Sequence, residues 1–102
     1  MDNTNEAERY RRNLLVEGFS EEQQQRLAES RITVVGAGGL GSAALNYLVA
    51  AGVGFIRIIE NDFVSLSNLQ RQILYTTDDL GRAKASAATD RLSRINPQCQ
   101  ID

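Results

Sequence analysis

The sequence has no histidine and a single cysteine, Cys99. Without histidine, Ser-His and Cys-His catalysis and every histidine metal site are removed from the chain. A lone cysteine forms neither an internal disulfide nor a structural zinc site, and such low usage suits the reducing cytosol. No apolar run exceeds five residues, so no segment spans a membrane as a helix. The opening stretch, Met1 to Glu6, is polar and acidic and lacks a signal-peptide core. It is expected to fray. A net charge of −2 argues against nucleic acid as a partner, because phosphate neutralisation usually calls for a basic domain. Apart from Arg57, the bases sit in two zones, residues 9–31 and 71–94.

What remains is ordinary globular composition, 42% hydrophobic and 24% charged. The 102 residues suffice for one core. Ala7, Tyr10 and Leu14 suggest an amphipathic helix from Glu6, ended by Gly18. Ser20 and Gln23 have capping-box spacing, which opens a second helix at 21–29 with Leu27 and Ala28 as its apolar contacts. Ile32 to Val35 reads as a buried strand. A glycine-rich stretch, Gly36 to Gly41, follows. A helix over 40–51 then carries Leu40, Ala44, Leu48 and Ala51 on its apolar face, with Gly52 as the cap. Phe55 to Ile59 is the second strand. Residues 61–80 read as a polar, irregular connection with one short turn near Asn68–Gln72. A third helix spans 81–95, with Ala85, Ala88, Leu92 and Ile95 facing inward, and Asn96-Pro97 stops it. Gln98 to Asp102 begins a third strand, where Cys99 is a small buried residue.

The expected fold class is α/β. It is a Rossmann-like parallel sheet with two N-terminal helices, incomplete, the βαβαβ portion of a larger domain. Residues 1–30 form the helical segment, and 31–102 form the first part of the nucleotide-binding domain.

Gly36-x-Gly38-x-x-Gly41 lies between strand and helix. The first glycine permits a tight turn, the second admits a phosphate, and the third lets helix and strand pack closely. Free N–H groups and the positive end of the helix dipole then face an anion. The bland alternative is a structural glycine turn. Glu60 closes the second strand at the interval, about 20 residues past the loop, where dinucleotide folds place a ribose-binding carboxylate. Otherwise it is a solvated acid. Asp62 follows, as a site residue or a loop acid. Ser67, Asn68, Leu69, Gln70, Arg71 and Gln72 supply amides and a guanidinium suited to phosphate oxygens, or else form a solvated loop. Lys84 opens the third helix against the helix dipole, a local conflict that a nearby anion would resolve.

Together these residues resemble the ThiF/MoeB/HesA family, the bacterial relatives of ubiquitin-activating enzymes. The likeness rests on Arg9-Tyr10-x-Arg12, Gly18-Phe19, Val35 through Ser42 including Gly39, and Ala51-Gly52-Val53-Gly54. It continues through Asp62-x-Val64-x-x-Ser67 to Gln72, Gly81-x-x-Lys84 and Asn96-Pro97. The resemblance implies a homodimer that binds ATP and Mg2+ and adenylates the C-terminal glycine of a ubiquitin-like sulfur-carrier protein of thiamine or molybdopterin type. By position, Gly36, Gly38, Gly39 and Gly41 belong to the nucleotide loop and Glu60 to the ribose. Asn68, Arg71 and Lys84 hold phosphates, and Arg12 reaches the γ-phosphate of the partner's nucleotide. Glu60 is one methylene longer than the family's aspartate. The family's metal-binding aspartate, its paired CxxC zinc motifs and its carrier-docking surface belong to longer members, so the 102-residue chain alone is expected to be inactive. No metal ligand is assigned within this chain. The alternatives are a nucleotide- or partner-binding module without catalysis and, on GxGxxG with Glu60 alone, an NAD-dependent oxidoreductase fragment.

Overall fold

The computed structural model describes residues 8–102. Three parallel strands, β1 (Arg31–Val35), β2 (Phe55–Ile59) and β3 (Gln100–Ile101), lie in the order β1-β2-β3. β1 and β2 pair along their full length, Arg31 opposite Phe55 and Val35 opposite Ile59. Three helices join them: α1 (Glu21–Glu29), α2 (Gly39–Ala51) and α3 (Lys84–Ile95). The expected Rossmann-like βαβαβ order is present.

Each element has a local cause. Ser20 caps α1 through a capping box with Gln23, as the spacing predicts. Gly52, at φ 112°, ends α2 and donates its N–H to Val49 O. The β-branched runs Ile32–Val35 and Phe55–Ile59 make the strands. Ile32, Val34, Ile56 and Ile58 point into a core shared with Leu45, Val49, Ala87, Ala88 and Leu92.

Several expectations are corrected. The first helix does not run to Gly18. Residues 8–9 are helical, turns follow, and a 3-10 turn covers Asn13–Leu15; Glu6 and Ala7 lie outside the described residues. Tertiary bonds override the periodicity there. Tyr10 is buried and its hydroxyl donates to Gln98 Oε1, while Asn13 Nδ2 donates to Ala51 O and Gln24 Oε1. Nor is β1 buried on both faces. Both crossovers run in one direction across the sheet, and with a single hand they place α2 and α3 on the same side. Arg31, Thr33 and Val35 therefore stand exposed, Val35 at 77%. On that side the Arg31 guanidinium stacks 4.0 Å from the Phe55 ring centre.

In α2 the buried residues are Ser42, Leu45 and Val49, whereas Leu40 and Ala44 face solvent. The helix is apolar nearly all round, so periodicity alone could not choose its face. Ala28 of α1 is likewise exposed, although its carbonyl abuts Gly54. α3 starts at Lys84 rather than residue 81. Gly81, at φ 84°, closes a turn, and Ala83 bridges to Phe63. The connection 61–80 is more ordered than its polarity suggests. It contains 3-10 turns at Leu66–Asn68 and Thr77–Asp79 and buries Val64, Leu74 and Tyr75. Cys99 is buried, just ahead of β3, and burial pushes its thiol up.

Asn96 does more than end a helix. It is fully buried; its Nδ2 donates to Tyr10 Oη (2.8 Å) and Val49 O (2.9 Å), and its Oδ1 accepts from Gln98 N. Asn96→Ala would strand these groups in the core. The expected loss is about 2–4 kcal/mol, read as a lower urea midpoint. Unchanged stability would contradict the hub role.

Candidate functional site

The site forms where β1 ends and α2 begins. Gly36 leaves the strand at φ 89°, with its N–H bonded to Ile59 O. A Cβ on Gly41 would lie 2.2 Å from Gly36 O, so the first turn of α2 rides directly on the backbone of the loop. Gly38 is the N-cap of α2, and no side chain caps the helix there. The first N–H groups of α2 thus open toward the loop.

Ala37, at the centre of the turn, is fully buried and held at both poles. Its N–H donates to Glu60 Oε1 at 2.7 Å, and its carbonyl accepts from the Tyr75 hydroxyl at 2.7 Å. The other oxygen of Glu60 accepts from Asn61 N and Asp62 N. A carboxylate offers about four acceptor positions, so one is left toward a ligand. Asp62 Oδ1 accepts from Phe63 N, and its Oδ2 sits 3.8 Å from Lys84 Nζ. Lys84 is only 5% exposed and also donates its backbone N–H to Asp62 O. An ammonium is thereby fixed at the start of α3 against Asp62, which lies two residues after the turn-holding Glu60.

The opposite wall comes from the crossover. Arg71 lies along Gly39, where a Cβ would meet Arg71 Cδ at 3.9 Å. Its Nη1 donates to Ser67 O. Ser65 Oγ donates to Asn68 Oδ1 and stands 3.4 Å from Ser67 Oγ. Asn68 O accepts the N–H groups of Arg71 and Gln72. Leu69 packs on the core and Gln70 is exposed. Ser42 Oγ accepts from Leu74 N at 2.8 Å, which locks this wall to α2.

Gly36, Gly38, Gly39, Gly41, Glu60 and Arg71 therefore meet at one turn, and Asp62, Asn68 and Lys84 are joined to it through Glu60, Arg71 and Asp62 respectively. Arg12 is not. Its neighbour Asn13 bonds to Ala51 O at the far end of α2, and thirteen helical residues span about 20 Å. Tyr75 is the residue that the motif reading left without a role, and Gln72 entered it only as one of the amides between Ser67 and Gln72. The signal for Tyr75 was the apolar run Ile73-Leu74-Tyr75 inside a polar stretch.

A strand, glycine turn and helix, with Arg71 against Gly39, make the Rossmann-like arrangement on which nucleotide phosphates are commonly held. The chain belongs to the ThiF family, whose model matches residues 10–102. It is 47% identical over 93 residues to the molybdopterin-synthase adenylyltransferase of Escherichia coli K12, covering 91% of this chain and 37% of that protein. It is 47% identical over 97 residues to a sulfur carrier protein adenylyltransferase of Thermus thermophilus, covering 95% and 36%. Among solved structures, it superposes on the E. coli tRNA N6-threonylcarbamoyladenosine dehydratase TcdA in complex with ATP. The TM-score is 0.86 at 37% identity, covering 93% of this chain and 38% of the other. The chain spans 25 to 37% of the length of the curated relatives it matches most strongly.

Two outcomes test the site's architecture. Gly41→Ala should lower stability by about 2 kcal/mol or more, since backbone must move. Gly39→Ala, with room for its methyl, should be neutral or stabilising by up to about 1 kcal/mol. Equal effects in urea melts would refute the close approach at Gly41. The second outcome concerns pH. Burial, reinforced by Glu60 and Asp79, pushes the Tyr75 hydroxyl well above its ordinary range. The native state keeps this proton where an unfolded tyrosine, ordinary near pH 10, has lost it. The contribution is complete below about pH 10 and is lost as pH rises toward the native value. Tyr75→Phe should therefore flatten the fall in urea midpoint between about pH 9 and 11, and Cys99, common to both proteins, cancels. An unchanged slope would show that the hydroxyl is not held.

Proposed function

We propose that this chain supplies the nucleotide-holding part of an adenylyltransferase that uses ATP to activate the C-terminal glycine carboxylate of a ubiquitin-like sulfur-carrier protein. The observation that carries the reading is an uncapped helix start built on glycine, with Arg71 against Gly39 and with Glu60 tying the turn to Asp62, the residue that Lys84 faces. The names of the relatives support the same chemistry, and the ATP complex of TcdA supports the choice of nucleotide.

In that reaction a carboxylate oxygen of the carrier bonds to the α-phosphorus of ATP. The bond from that phosphorus to the bridging oxygen breaks, and pyrophosphate leaves. The protein's contribution is positioning and charge. N–H groups of the Gly36–Gly41 turn hold phosphate oxygens. Asn68, Arg71 and Lys84 offset the charge that builds on the leaving pyrophosphate, and Ser67, Leu69 and Gln70 complete that wall. Glu60 uses its one remaining acceptor position on a ribose hydroxyl, and Asp62 steadies the Lys84 ammonium.

Arg12 cannot serve its own chain's turn across about 20 Å of helix. It acts in a partner subunit's site, which makes the working unit a homodimer. The cytoplasm is the proposed compartment; no helix among the described residues is long and apolar enough to cross a membrane. Mg2+ is expected with the ATP, and its protein ligand belongs to longer family members. No group of three or more His, Cys, Asp or Glu residues among the described residues could hold a metal ion. No step is assigned to the metal here. A second reading keeps the same turn as a nucleotide- or partner-binding module without chemistry.

Calorimetric titration discriminates. ATP should bind more tightly than NAD, and Arg71→Ala should weaken ATP by about tenfold or more. Tighter NAD binding would overturn the reading. ATP binding without ATP–pyrophosphate exchange in the presence of a carrier protein is the outcome expected of the second reading.

A further inference from the structure

Gln72 sits behind the glycine turn, 4% exposed. Its backbone is fully used: its N–H donates to Asn68 O, and its carbonyl accepts from Tyr75 N. Its side chain is not. The amide oxygen is buried with no hydrogen-bond partner, the one such side-chain atom among the described residues. The amide nitrogen faces the turn, since a Cβ on Gly38 would lie 3.7 Å from Gln72 Nε2.

Burying a primary amide without partners is costly. A leucine would occupy similar space without that cost. The site into which Nε2 is aimed is the N-cap of α2, where no side chain supplies a cap. An acceptor seated there would meet the helix N–H groups and the Gln72 amide together. Neutral donors suit it, because Lys84 and Arg71 already bring the cations and a third charge so deeply buried would need its own partner.

We propose that Gln72 is a ligand-binding residue of the glycine turn, its Nε2 donating to a phosphate oxygen of the bound nucleotide. This rests on the nucleotide reading of the site and gives Gln72, until now one amide of a segment, a specific contact at the N-cap.

The test sets stability against affinity. Gln72→Leu removes the unpartnered amide, so its urea midpoint should equal or exceed that of the wild type. Its affinity for ATP, measured by calorimetry on the same 102-residue chain, should fall by about tenfold or more. Gln72→Glu keeps the shape but turns a donor into an anion, and should bind ATP more weakly still. If the wild type binds ATP and both variants bind it equally well, the contact does not exist. If the leucine variant unfolds at a lower midpoint, the amide is already satisfied in the free protein and the inference falls. A folded wild type that binds no ATP would instead overturn the nucleotide reading itself, and this contact with it.

Discussion

The peptide of Ala37 is the constraint on which the site depends. It lies fully buried inside a turn of glycines, where water cannot reach its polar groups. Two distant residues supply the missing partners. Glu60, from the end of β2, takes the N–H, and Tyr75, from the crossover, gives its hydroxyl to the carbonyl. The shape of a flexible glycine segment is thus set from outside it. Because Glu60 also gathers the N–H groups of Asn61 and Asp62, the same carboxylate sets the start of the crossover. The turn, the strand end and the wall are therefore one hydrogen-bonded unit, and the buried bonds within it strengthen one another at low dielectric.

The hand of the crossovers governs the larger architecture. Two right-handed connections made in the same direction stack α2 and α3 on one face. The core is consequently one-sided: Ile56 and Ile58 are buried while Ile59 and Val35 are exposed. β1 and β2 still end together, Val35 opposite Ile59, and the glycine turn, Glu60 and Asp62 all follow at their C-terminal edge, where open α/β sheets bind ligands. The charged side chains on the other face, Arg31 over Phe55 and Arg57 paired with Asp102 at 2.8 Å, lie over apolar and acidic groups there without covering Val35.

Element order and glycine placement were legible in the sequence because each has a local cause. Strand residues are β-branched, Ser20 has its partner three residues on, and Gly41 precludes any side chain. What could not be read were the choices made by packing. Leu40 and Leu45 look alike in a helix that is apolar all round, and only the position of the sheet decides that Leu45 is buried. Tyr10 fits an amphipathic repeat, yet it is placed by Asn96, a residue 86 positions away. Polarity hid the order of 61–80, because Leu74 and Tyr75 are its core anchors while their neighbours face water. The site residues were recognisable as types from spacing and family likeness. The bonds that orient Glu60, and the idle amide of Gln72, exist only once three segments meet.

Helix α2 links the glycine turn to the segment that bears Arg12. At its first turn Ser42 holds the crossover wall through Leu74, and Gly41 rides on the glycine loop. At its last turn Val49 and Ala51 offer carbonyls to Asn96, Asn13 and Gln24. The segment bearing Arg12 and the anion site are therefore referenced to one rod, buried along Ser42, Leu45 and Val49. Their separation of about 20 Å is fixed by packing rather than by a flexible linker. Under the proposed exchange of arginines between subunits, this rod dictates how far apart the two sites of a pair must lie. Each subunit would present its arginine at a set distance from its own turn, so the geometry that denies Arg12 to its own site is what allows a neighbour to receive it in register.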